Sequence, residues 1–308
     1  MAVEIRSERP SILLRLIKWL ISKRTSIFPK VVNEVSILLS NRKLPIDAPM
    51  PNKFEKKYIV ERWTQEKSDI ITLHPKGGRG SKHIIYFHGG GFVLPMIDVH
   101  WPLVAALVDR TGASVSIPLY PVVPEETKAA QDLLADLVYR EVQKEWVPKD
   151  IILAGDSAGA NMALALTLRL IRKGQEKPGR LLLFAPWLDV TMANEEMKFV
   201  EPFDFMLKID AVREIGKIWA GSSDPKLPEC SPLYTPNEEL SKLPPTQIFT
   251  GQHDVFIVDN RTFVSRLEEV KVDARLFEYA GAPHVFMVML PTREARDCLS
   301  LVEEFVAS

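Results

Sequence analysis

Two short stretches hold residues whose types and spacing can do chemistry. Gly155-Asp156-Ser157-Ala158-Gly159 is a Gly-x-Ser-x-Gly pattern. It lies between an apolar run, 150–154, and a stretch of good helix formers, 161–171. A sharp strand-to-helix turn there lifts a serine hydroxyl above the end of a sheet. The turn needs small neighbours, because strand and helix backbones come close. Gly155, Ala158 and Gly159 meet that need. Alone the pattern is weak, since small residues gather at many such turns. A second stretch strengthens it. His88-Gly89-Gly90-Gly91-Phe92 follows another apolar run, 83–87. Three glycines after a strand leave backbone N–H groups free to point into a cavity, where they stabilise an oxyanion. A serine nucleophile beside such donors is equipment for acyl transfer.

The elements that must position these residues alternate. Apolar runs at 83–87, 113–118, 151–155, 180–185, 246–251 and 275–279 read as strands. Between and after them, 100–110, 125–144, 158–173, 256–270 and 291–306 read as helices. This order implies a mainly parallel sheet with helices on both faces. Two earlier strand-like stretches, 58–63 and 69–74, would add antiparallel edges. The glycine-rich Lys76–Gly80 reads as a hairpin turn and has no phosphate-loop spacing. Residues 187–233 break the alternation. They hold Trp187, Phe199, Phe203, Phe205, Met206 and Trp219, with Ile209, Val212, Ile215 and Trp219 at helical spacing.

These motifs, with Gly251-Gln-His-Asp254 and His284-Val-Phe286, make the chain similar to the hormone-sensitive-lipase-like esterases of the α/β-hydrolase superfamily. The resemblance covers roughly residues 55–306. It implies an α/β-hydrolase fold: a mostly parallel eight-stranded sheet flanked by helices, with a helical cap. Residues 1–50 would supply N-terminal cap helices. Residues 51–308 would form the catalytic domain, with a cap insertion at about 187–233 whose aromatics roof the acyl pocket. Two departures stand out. Val285 replaces a frequent glycine, and Tyr120-Pro-Val-Val-Pro-Glu125 replaces Tyr-Arg-Leu-Ala-Pro-Glu.

The superfamily order of serine, then acid, then histidine assigns the other partners. A serine needs a base, and the base needs an orienting acid. Asp254 follows the strand at 246–251, at the sheet top. Asp259 lies a turn later and suits the opening of the next helix. Asp254 is therefore the expected acid, and His284, after the last strand, the base. The expected oxyanion donors are the N–H groups of Ala158, Gly90 and Gly91, with Gly89 as an alternative. His88 would hold that loop through hydrogen bonds. His253 breaks the order, and His74, His83 and His100 read as structural.

Composition narrows the class. The 308 residues carry 39 Lys+Arg against 40 Asp+Glu, and no long charge block suggests a nucleic-acid partner. Cys230 and Cys298 form no disulfide framework, and a reduced, cytoplasmic setting is the simpler reading. No cysteine–histidine cluster has zinc spacing, so neither metal nor cofactor is expected.

Residues 11–22 are apolar, broken by Arg15 and Lys18, and too short to span a membrane. They read as an amphipathic helix, with Ile12, Leu13, Leu16, Ile17 and Leu20 on the domain and Arg15 and Lys18 facing away; the resemblance implies that it lies over the active-site mouth. A peripheral membrane contact is the alternative. A second helical stretch, 29–39, would join this cap, and the proline-rich 45–51 reads as a linker.

The expected activity is hydrolysis of short-to-medium acyl esters of a hydrophobic alcohol. The expected partner is a small-molecule ester, and a homodimer is compatible with the sequence. A lactonase, a biosynthetic acyltransferase and a non-catalytic receptor-like member of the fold are the alternatives.

Overall fold

A computed structural model describes residues 2–23, 29–40, 46–124 and 126–308. Within them lie nine strands: β1 (Val3–Ser7), β2 (Ile59–Gln65), β3 (Ser68–His74), β4 (His83–Phe87), β5 (Ser114–Pro118), β6 (Ile151–Asp156), β7 (Arg180–Phe184), β8 (Thr246–His253) and β9 (Ala274–Pro283). The helices are α1 (Ile12–Ser22), α2 (Val32–Ser40), α3 (Lys53–Lys57), α4 (His100–Thr111), α5 (Lys128–Val142), α6 (Ala158–Arg172), α7 (Met197–Val200), α8 (Ile209–Ala220), α9 (Asn237–Leu240), α10 (Ile257–Glu269) and α11 (Arg293–Ala307). Glu125, the expected start of the helix that becomes α5, and part of the 45–51 linker lie outside the described residues.

One sheet runs β1-β9-β8-β7-β6-β4-β5-β3-β2. Its pairs are parallel from β1 to β5, and β3 and β2 are antiparallel at one edge. The central strands β4, β5 and β6 are buried throughout. Strands covered on both faces are mostly apolar, which is why β4 and β6 read as short apolar runs, while β5 buries Ser114 and Ser116 in hydrogen bonds to neighbouring side chains. Alternate residues feed the two faces. Ile85 and Phe87 join the core that takes in Leu134 and Val138 of α5, Leu164 of α6 and Phe263 of α10. Ile84 and Tyr86 join the core beneath Leu103 and Leu107 of α4 and Val302 of α11.

Two expectations need correction. The sheet has nine strands where eight were expected, because Val3–Ser7, within the segment read as cap helices, pairs in parallel with β9. Leu276 N donates to Ala2 O at 2.7 Å, and Arg6 pairs with Asp297 at 2.9 Å. These contacts cover an edge that β9 would otherwise leave unpaired. Five residues are too few for their alternation to stand out.

Lys76–Gly80 is also no hairpin turn. β3 pairs with β5, so the chain crosses over before entering β4. The hairpin lies between β2 and β3, at Glu66 and Lys67, with φ of 48° and 65°. Two-residue hairpins favour positive φ, usually through Asn or Gly, and neither residue is present to mark this one.

Candidate active site

Ser157 sits between β6 and α6 with φ 54° and ψ −118°, a conformation that strains any residue bearing a Cβ by roughly 1–3 kcal/mol. The strain is held from both sides. Ser157 N donates to Phe184 O at 2.8 Å, and Trp187 N donates to Ser157 O at 3.2 Å. The turn tolerates only glycine at its flanks. A Cβ on Gly159 would stand 2.0 Å from Phe87 O, and one on Gly155 2.4 Å from Gly159 C. Close contact between β4, β6 and α6 thus fixes the serine beside the glycine loop.

In that loop Gly90 and Gly91 take positive φ, 125° and 63°. Gly89 does not turn its amide inward, because Gly89 N donates to Asp156 Oδ1 at 2.8 Å. Asp156 is buried and also accepts from Tyr86 OH. Its second oxygen lies 3.5 Å from His100 Nε2. Burial alone would raise its pKa, but the neighbouring His100 and the Tyr86 hydrogen bond outweigh it, and the net shift is downward. Ile97 N donates to His100 Nδ1, which leaves the proton on Nε2, facing the carboxylate.

His88 Nδ1 donates to Gly89 O at 2.6 Å, and its ring stacks on Tyr120, 4.1 Å between centroids. Tyr120 OH in turn donates to His88 O at 2.7 Å. Burial, first, and His100 push the His88 pKa down to about 3, so this histidine is neutral at pH 7. His74 and His83 lie elsewhere, hydrogen-bonded to Ser114 and Ser116.

Asp254 follows β8 and His284 follows β9, and β8 pairs with β9. Asp254 Oδ2 meets His284 Nδ1 at 2.8 Å, and Asp254 Oδ1 accepts Phe256 N at 2.9 Å. Asp254 is fully buried and His284 5% exposed. A carboxylate only accepts, so Nδ1 bears the proton and Nε2 keeps its lone pair. Burial pushes the His284 pKa down. The Asp254 charge and hydrogen bond, helped by Asp204 and Asp156, outweigh it, and the net shift is upward. Val285, where the related pattern often has glycine, sits at φ 50°, ψ 40°. A β-branched residue is strained in that left-handed conformation.

Asp259 is not part of this pair. It is buried in the first turn of α10 and accepts from Asn194 at 3.1 Å. Burial raises its pKa to about 7, against the Asn194 hydrogen bond.

Asp204, in the cap insertion, is a residue the sequence reading passed over. It is 1% exposed. Its Oδ1 accepts Met206 N at 2.8 Å and Leu207 N at 2.9 Å, and its Oδ2 accepts Val255 N at 3.1 Å. The 187–233 segment and the loop after β8 are therefore joined at the residue after Asp254. Burial, then the Asp254 charge, raise the Asp204 pKa. Only an aspartate in an aromatic-rich stretch hinted at this, and such residues are usually solvated.

The cap aromatics divide. Trp187 and Trp219 are buried, whereas Phe199 and Phe203 are exposed. Trp219 stacks on Phe92 of the glycine loop (3.8 Å, 6°). Phe92 stacks on Trp187, Trp187 on Phe256, and Phe256 meets the His284 ring edge-on at 5.1 Å. Asn161 of α6 donates to Trp187 O and Cys230 O, holding both ends of the insertion against the helix behind Ser157.

The family described as having the alpha/beta hydrolase fold matches residues 84–288, which takes in the glycine loop, Ser157, Asp254 and His284. The chain is 33% identical over 230 residues to an esterase of Acinetobacter venetianus, covering 73% of this chain and 74% of that one. It is 28% identical over 229 residues to an esterase of Gibberella moniliformis, covering 71% of each. In fold it is similar to an esterase from the bacterial hormone-sensitive lipase family, with TM-score 0.81, 24% identity, and 96% and 97% of the two chains covered. The chain belongs to the family with the alpha/beta hydrolase fold.

Proposed function

We propose that this protein is a serine carboxylesterase acting on short-to-medium acyl esters of a hydrophobic alcohol. The observation that carries the proposal is the Asp254–His284 hydrogen bond, 2.8 Å long and buried, on the β8 and β9 ends of the sheet whose β6 end presents Ser157. His284 Nε2 takes the Ser157 proton as Oγ attacks the ester carbonyl. The oxyanion forms within reach of the N–H groups of Ala158, Gly90 and Gly91. Gly89 is left out of this set, because its N–H is already given to Asp156.

Asp254 holds the imidazole tautomer and stabilises its protonated form. His284 then protonates the leaving alcohol, which departs. Water, deprotonated by His284, attacks the acyl-enzyme. The tetrahedral intermediate collapses, Ser157 recovers its proton and the carboxylic acid is released. Esterase relatives support ester hydrolysis as the overall reaction.

The acyl preference rests on the cap aromatics and the loop residue Phe92. An apolar wall gains about 0.8 kcal/mol per buried methylene until the pocket is full. Beyond that, overpacking costs about 1–3 kcal/mol. A panel of p-nitrophenyl esters and lactones tests the reading. The rate should rise from acetate, then fall for long acyl chains, and be lost in Ser157→Ala. A steady climb to palmitate would contradict the chain-length reading. Faster opening of lactones would reassign the substrate class with the same residues in place.

A further inference from the structure

The five-residue apolar stripe of α1 was expected to lie on the domain, with Lys18 outward. Instead Leu14 is fully buried, and Lys18 Nζ donates to Gly281 O at 2.6 Å and His253 Nδ1 at 2.7 Å. At the other end, Ser11 N and Oγ donate to the buried Glu294, at 2.6 and 2.7 Å. Pro10 packs over Gly281. α1 is thus anchored at both ends, and its rotation about its own axis is set.

That rotation turns the wide apolar stripe outward. Ile12 is 76% exposed, Leu16 51%, Trp19 58% and Leu20 48%. At about 100° per residue these four fall within roughly one quadrant to one third of the helix surface, with Lys23 among them and Arg15 at the margin. The patch continues across the cap. Lys18 touches His253, and Phe203, 59% exposed, packs its ring 5.2 Å from that of His253. His253 immediately precedes Asp254, so this surface borders the candidate active site.

We infer that the outer face of α1, with Phe203 beside it, seats the protein on an anionic lipid bilayer surface. Charge selects the occupant. Residues 9–33 hold Arg9, Arg15, Lys18, Lys23, Arg24 and Lys30 and no Asp or Glu, in a chain of net charge −1. Arg9, Arg15, Lys23 and Lys30 are exposed. A helix with Trp, Leu and Ile on one face and flanking cations lies in the headgroup plane, its cations at the phosphates and its apolar side chains below. A second copy fits less well. A two-fold contact sets the same patch against itself, bringing Arg15 and Lys23 towards their own copies. No helix among the described residues is long and apolar enough to cross a membrane, so the contact is a surface one. The inference stands apart from the proposed chemistry, since it concerns docking alone.

The test is sedimentation of the full chain with vesicles of phosphatidylcholine, with or without phosphatidylglycerol, at low and high salt. The wild type should sediment with the mixed vesicles, less so at high salt. Leu16→Ser/Trp19→Ser should lose roughly tenfold or more of that partitioning, about 1.4 kcal/mol or more. Arg15→Glu/Lys23→Glu should lose the preference for phosphatidylglycerol. Both variants should hydrolyse a water-soluble short ester at the wild-type rate, because none of these side chains is placed in the catalytic machinery. Absence of wild-type sedimentation with either vesicle, or unchanged binding by Leu16→Ser/Trp19→Ser, would overturn the inference. So would a wild-type dimer that this variant dissociates, since a second copy would then cover the face.

Discussion

The carboxylate of Asp156 accepts the amide hydrogen of Gly89 at 2.8 Å, so the residue before Ser157 holds the glycine loop. One buried side chain thereby ties the glycine loop to the end of β6 that presents Ser157. Asp156→Ala should lower kcat about 100-fold with little change in KM, the cost expected when oxyanion donors lose their aim. It should also destabilise the fold by about 1–3 kcal/mol for each buried donor left unpaired. Steady-state kinetics and denaturant unfolding check both. A variant that unfolds more easily but keeps its kcat would show that the loop holds its shape without Asp156.

Asp204 supplies a pH prediction. His284 must be neutral to act as base, so activity falls as pH drops through its pKa. Burial lowers that pKa, and the negative charges of Asp254, Asp204 and Asp156 more than reverse the shift. Asp204→Asn removes one of those charges and keeps a side-chain oxygen that can accept an N–H. The acid limb of kcat/KM should therefore move to lower pH. Loss of rate with no movement of the limb would reduce Asp204 to a purely structural tie between cap and acid loop.

Asp254 and Asp259 are separable by experiment. Asp254→Asn should lower kcat on the order of 10⁴-fold, because the imidazole loses its orienting acceptor. Asp259→Asn should stay close to wild type in rate. Stability should behave differently. The Asp259 pKa is raised to about 7 in the fold, against an ordinary value of about 4 when unfolded. The unfolded chain therefore ionises Asp259 first, and this group withdraws stability as pH rises between those values. Thermal unfolding should show Asp259→Asn gaining relative to wild type at pH 8 compared with pH 4. A larger rate loss in Asp259→Asn than in Asp254→Asn would invert the assignment of the acid.

Much of the sheet could be read in the sequence because its central strands are buried on both faces and cannot disguise their composition. β4 and β6 appear as short apolar runs for that reason. What escaped depended on tertiary contact. β1 exists because β9 has a free edge, and the Glu66-Lys67 turn adopts positive φ without a residue that advertises it. The rotation of α1 is not legible in the sequence, because periodicity finds a stripe but not the side that docks. Lys18 turned inward once two acceptors, Gly281 O and His253 Nδ1, were there to receive it. The motif residues at 88–91, 155–159, 254 and 284 could be located in sequence. Asp204 could not, since its partner Val255 is 51 positions away.

The proposed function requires Ser157 to be the acylated nucleophile. The most direct measurement is intact mass and peptide mapping after brief exposure to a fluorophosphonate ester, in wild type and in folded Ser157→Ala. A single adduct on the peptide containing Ser157, absent from the variant and formed in step with loss of p-nitrophenyl butyrate hydrolysis, is the predicted result. An adduct on another residue, or hydrolysis that survives in Ser157→Ala, would contradict it.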